Sequence, residues 1–83
     1  MLFDDWLDTV SPEVKAEVIA KAGTTANCVA VTRNKGIIGI RLLTRLADAT
    51  KGMRHRIIVS QHQRVMTGNG VESYYTKKRS GND

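Results

Sequence analysis

A mainly α fold, a small bundle of four to five helices with a helix-turn-helix and room for a C-terminal β-hairpin, is predicted by three observations on this 83-residue chain. Apolar residues recur at helical spacing in four successive short segments. Gly23, Gly36 and Gly52 punctuate those segments, at places where helices commonly stop. A hydrophobic content of 41% suits one modest core, and the length is too short for two domains.

The elements follow in order. In LFDDWLDTV the residues Leu2, Phe3, Trp6 and Leu7 share a helical face that Val10 extends. Ser11-Pro12 is a start signal, because a serine oxygen caps free amides and proline at the first helical position gives up no needed donor. The helix it opens carries Val14, Val18 and Ala22 on one stripe with Ile19 beside it, and stops at Gly23. Thr24 or Thr25 caps the next helix, which holds Cys28, Val29 and Thr32 and breaks at Asn34-Lys35-Gly36. The segment IIGIRLLTRLADATKG reads as a further helix, with Ile40, Leu43, Leu46 and Ala47 inward and Arg41, Arg45 and Lys51 outward. MRHRIIVSQHQRVM fits either a strand centred on Ile57, Ile58 and Val59 or a continuing helix. Asn69-Gly70 is a tight-turn dipeptide between RVMT and VESYYT, which favours a hairpin. Residues 1–52 are thus expected to form the core, 53–78 an extension, and 79–83 a flexible tail.

Charge is segregated along the chain. The formal net charge is +5, yet residues 1–20 carry five acids and one base, so the remainder is strongly basic from Lys21 onward. Such a field attracts polyanions, phosphate backbones foremost, although anionic lipid or an acidic protein would answer to it as well. A single cysteine, Cys28, makes no internal disulfide and reads as a small buried hydrophobe. With no apolar run of signal-peptide or membrane-span length, a cytoplasmic protein without membrane contact is expected. His55 and His62 lack the companions of a metal site and read as surface or partner-contacting residues. No nucleophile, base and orienting residue cluster, so neither an enzyme, nor a cofactor, nor a small-molecule substrate is expected.

The segment EVIAKAGTTANCVAVTRNKG, residues 17–36, meets the needs of a helix-turn-helix: an apolar seam at Val18, a turn glycine at Gly23, and a locking apolar residue at Val29. This leaves Thr25, Ala26 and Asn27 at the solvent-facing start of the second helix. With the Asn-x-Gly break and RLLTRLADATKG that follow, the segment resembles the second to fourth helices of the lambdoid phage repressor and Cro family, over residues 11–52. The resemblance implies a homodimer or higher homo-oligomer that binds operator DNA at phage or prophage promoters, with the second motif helix in the major groove. By position in the family pattern, Thr25, Ala26 and Asn27 would read bases, with Val31 further along the same helix; Lys15 would touch phosphate near the start of the first motif helix, and Arg33 and Lys35 at the exit of the second. One departure is Ile19, where the family carries a small residue. Either the two helices cross at an unusual angle or the alignment shifts by one residue.

Groove chemistry makes these assignments concrete. Asn27 can pair with adenine N6 and N7, a contact that discriminates by about 1–3 kcal/mol, and the methyl groups of Thr25, Ala26 or Val31 can meet thymine. Lys15, Lys21, Thr24, Arg33, Lys35 and Arg41 would supply phosphate contacts, which position the helix without reading sequence. Residues 53–78, with Ile57, Ile58, Val59, Val65 and Tyr74, are the expected dimer contact. Lys77, Lys78 and Arg79 are either a solvated tail or an arm that tracks phosphate. The competing expectation is a helical module whose basic surface docks an acidic host or toxin protein.

Overall fold

The computed structural model describes residues 1–65 and 72–78, in four helices and a small antiparallel sheet. Helix α1 spans Phe3–Thr9, α2 Pro12–Ala22, α3 Ala26–Lys35 and α4 Ile40–Thr50; strand β1 is Ile37–Gly39, β2 Arg64–Val65 and β3 Ser73–Tyr75. A 3-10 turn, Val59–Gln61, lies between α4 and the last two strands.

Helix α1 buries Phe3, Trp6 and Leu7, the i, i+3, i+4 face that its sequence shows. Leu2 at its N-cap offers no side-chain acceptor, so the free amides of the first turn need partners elsewhere. The C-terminal part of the chain supplies them: Phe3 N–H donates to His62 Nε2 at 3.0 Å and Asp4 N–H to the Thr76 carbonyl at 2.9 Å. Trp6 Nε1–H donates to the His55 carbonyl at 3.2 Å.

Helix α2 begins as expected, with Ser11 Oγ accepting from Val14 N–H at 3.3 Å and Pro12 at the first helical position. It ends at Gly23, whose φ of 73° is left-handed. Gly23 N–H reaches the Ala20 carbonyl and Thr24 N–H the Ile19 carbonyl, the paired bonds of a Schellman stop. Val18, Ile19 and Ala22 enter the core, and α2 packs against α4.

The segment after Gly36 departs from expectation. Ile37 and Ile38 do not extend a helix; with Gly39 they form β1, paired antiparallel to β3 with Ile38 opposite Tyr74. Two β-branched residues after a left-handed glycine suit a strand, and α4 starts only at Ile40. Its buried face is Leu43, Leu46, Ala49 and Thr50, whereas Ile40 and Ala47 are half-buried. Thr50 is tolerated inside because its hydroxyl is used twice, donating to the Leu46 carbonyl at 3.0 Å and accepting from Ile57 N–H at 3.0 Å.

Residues 53–65 are neither a continuous strand nor a helix. They bend at residues 53–55, place Ile57 in the core, make the 3-10 turn and enter β2. Strand β3 lies between β1 and β2, antiparallel to both, with Val65 opposite Ser73. The two flanking arms of the expected hairpin thus pair, while Asn69-Gly70 and the tail 79–83 lie outside the described residues. Pairing of β3 with β1 sews residues 72–78 into the same unit as residues 1–52.

The residues expected at the dimer contact lie within the core or beside it. Ile57 is 2% exposed, within one core cluster with Phe3, Trp6, Val18, Leu43 and Leu46. Val65 is also buried, and Val59 and Tyr74 are half-buried against the same core; Ile58 is half-buried. Ile57 and Val65 thus spend their apolar surface on the fold, while Ile58, Val59 and Tyr74 keep part of theirs open to solvent. His62 is likewise not a surface residue, being 6% exposed. His55 is half-buried.

Candidate functional site

Of the four α-helices, α3 is the least committed to the core. Of its 10 residues it buries Val29 alone, and Asn27, Cys28, Ala30, Val31, Arg33, Asn34 and Lys35 are exposed. Among the described residues Val31, at 43% exposure, is one of two large apolar side chains left open to solvent, the other being Ile37 on β1. A helix with so little apolar contact needs its ends fixed. Thr25 Oγ1 accepts from Cys28 N–H at 3.1 Å at the start, and at the end Gly36, φ 74°, donates to the Thr32 carbonyl at 3.1 Å. These caps satisfy backbone groups that packing leaves free.

The outward surface of α3 is small and polar at its beginning and basic at its end. Thr25, Ala26 and Asn27 are all exposed around the first turn, as expected. No acid occurs between Thr24 and Lys35. Arg33 and Lys35 fall in the last turn, where a cation complements the helix dipole. Cys28 is exposed on this surface and not buried; Val29 alone takes the inward position.

The expected phosphate-contacting side chains are spread over several elements. Lys15 is half-buried in the first part of α2, and Thr24 is half-buried in the turn. Lys21 is exposed near the end of α2, and Arg41 is exposed on the first turn of α4. Lys21 shares a concavity of about 320 Å³ with Arg45 and Asp48 of α4. Arg45 is thus brought beside Lys21 by α2–α4 packing; its i+4 spacing from Arg41 was the sequence signal that it shares the outward side of α4.

One cation of α3 is already engaged. Arg33 Nη2 donates to Asp8 Oδ1 of α1 at 2.6 Å, and this carboxylate raises the Arg33 pKa above its ordinary value. Ile19, the departure from the family pattern, is buried in the same cluster as Val29, so its bulk is taken up by the core.

A second concavity, about 410 Å³, lies between the α1–α2 junction and the segment after α4, lined by Thr9, Val10, Ser11, Val14, Met53, Arg54 and His55. Among the described residues no group of three or more His, Cys, Asp or Glu side chains could hold a metal ion, and no helix is long and apolar enough to cross a membrane. The fold and this surface define a small α-rich domain with a three-stranded sheet and one solvent-facing, acid-free helix. No family model, curated protein or solved structure matches the chain.

Proposed function

We propose that the protein is a sequence-specific regulator of transcription of the Cro and repressor kind, of phage or prophage origin, which lays α3 in the major groove of operator DNA. Thr25, Ala26, Asn27 and Val31 face the base edges in this reading. Lys15, Lys21, Thr24, Arg33, Lys35 and Arg41 face the sugar-phosphate backbone. The observation that carries it is the exposure of α3: a helix capped at both ends, buried at Val29 only, and free of acids. A major groove about 12 Å wide admits a helix and rewards short polar and methyl-bearing side chains on it. One such module buries about 600–1,000 Å² on DNA, so a homodimer reading two half-sites is the working form.

Titration against random-sequence duplex at increasing salt tests the reading. Affinity should fall with a log–log slope of about −0.9 for each phosphate neutralised. Failure to bind duplex at low salt would overturn it and leave an acidic protein as the partner of the basic surface. Selection of bound sequences should then yield a two-fold symmetric site, with Asn27→Ala relaxing preference at one or two positions by about 1–3 kcal/mol while sparing nonspecific affinity. Equal loss on every sequence would remove Asn27 from the base-reading set.

A further inference from the structure

We propose that Asp8 is a built-in competitor for the phosphate contact at the exit of α3, holding Arg33 in the free protein so that DNA must displace it. The inference rests on the DNA-binding reading and deepens it. Among the described residues two ion pairs occur, Asp8–Arg33 at 2.6 Å and Glu72–Arg64 at 3.5 Å. The shorter joins α1 to the helix whose surface is otherwise open.

Three features make Asp8 more than an incidental neighbour. First, α1 cannot drift away, because Phe3 N–H is held by His62, Asp4 N–H by Thr76 and the Trp6 indole by His55. Its carboxylate is therefore presented to α3 from a fixed support. Second, both side chains are open to solvent, 41% for Arg33 and 63% for Asp8, so the pair is a weak and exchangeable one. A carboxylate and a phosphodiester ask the same of a guanidinium, charge and in-plane oxygen acceptors, and the two can exchange on Arg33. Third, a displaced Asp8 stays in place, so a phosphate that takes Arg33 would lie within the Debye length, about 10 Å at 0.1 M salt, of a fixed negative charge. Arg33 thus contributes less to backbone binding than an unpaired cation, and it does so alike for every DNA sequence.

The test compares the full chain with Asp8→Asn, Asp8→Glu, Arg33→Ala and the Asp8→Asn/Arg33→Ala double variant on random-sequence duplex. Asp8→Asn should tighten binding about two- to five-fold, the range of an exposed ion pair, and steepen the salt slope by up to about 0.9 as one more cation becomes free to neutralise phosphate. Asp8→Glu should restore the original affinity, and the double variant should lose most of the gain. Unfolding midpoints of the same proteins report whether any change comes from loss of folded protein. If Asp8→Asn binds no more tightly than the original chain, with the same slope, the pair is a structural tie and the proposal fails while DNA binding stands. Weaker binding by Asp8→Asn at an unchanged unfolding midpoint would make Asp8 a support for Arg33 and equally overturn competition. Absence of duplex binding by every protein in the set would overturn the parent reading and this one with it.

Discussion

At the scale of single residues, His62 shows how a side chain can serve the fold through its protonation state. Phe3 N–H can only donate, so Nε2 must be bare, and Nδ1 carries the proton directed at the Ile58 carbonyl 2.8 Å away. Protonating Nε2 would set a donor against a donor. Burial lowers the His62 pKa, and the nearby amino terminus adds to this; the hydrogen bonds to the Ile58 and Val59 backbone and the charge of Asp5 act in the opposite direction. A histidine with a depressed native pKa binds its proton more readily when unfolded. Its stabilising contribution is therefore complete above the unfolded value, about 6.5, and is lost as pH falls below it toward the native pKa. Thermal unfolding between pH 7.5 and pH 5.5 should show decreasing stability, and His62→Gln, whose amide oxygen can accept from Phe3, should flatten the dependence. An equally steep profile in that variant would assign the effect to another group. Asp8 and Arg33 belong to this scale too: neither residue's sequence neighbours announce the pair, which exists because α1 and α3 meet in space.

At the scale of elements, the α2–turn–α3 unit was legible almost residue by residue. Ser11, Pro12, Gly23, Thr25 and Gly36 each occupy the terminal position that their chemistry favours. Gly23 offers a clean test, because a Cβ built there would meet no atom within 4 Å while its φ of +73° is left-handed. The cost of Gly23→Ala is therefore conformational and not steric, about 1–2 kcal/mol; Gly23→Asn should cost less, since asparagine enters this region more readily. Denaturant unfolding of both variants checks the order. A loss well above that range for alanine would point to a packing role that the open space around Gly23 contradicts. Strand β1 was less legible. Ile37 and Ile38 fit the helical period of the segment that follows, and periodicity alone does not separate a short apolar strand from the start of a helix.

At the scale of the whole molecule, the C-terminal third matters most. Residues 53–78 were expected to form an extension carrying the dimer contact; in the structure Ile57 fills the core and β3 closes a sheet with β1. Ile57→Ala should thus cost about 2–5 kcal/mol, as large-to-small core substitutions do, and the shift should be the same at all protein concentrations. A loss that shrinks on dilution would return Ile57 to a subunit contact, because stability contributed by association fades as the protein is diluted. The charge pattern also acquires a shape at this scale. The acids of the first 20 residues lie on α1 and the first half of α2, and the one that reaches α3, Asp8, meets a cation there.

What the sequence determined by itself was local: helix starts and stops, the inward stripes of α1 and α2, the acid-free outer surface of α3, and the facing arms of a C-terminal hairpin. These follow from backbone chemistry and periodicity within a few residues, which any stretch of chain carries with it. Tertiary structure alone decided the long-range matters. It set β3 between β1 and β2, turned Ile57 into the core, gave α1 its N-terminal partners in His62 and Thr76, and brought Asp8 to Arg33. Each of these joins residues at least 25 positions apart or depends on which surface the rest of the chain covers, and neither distance in space nor coverage is written in a window of neighbouring residues.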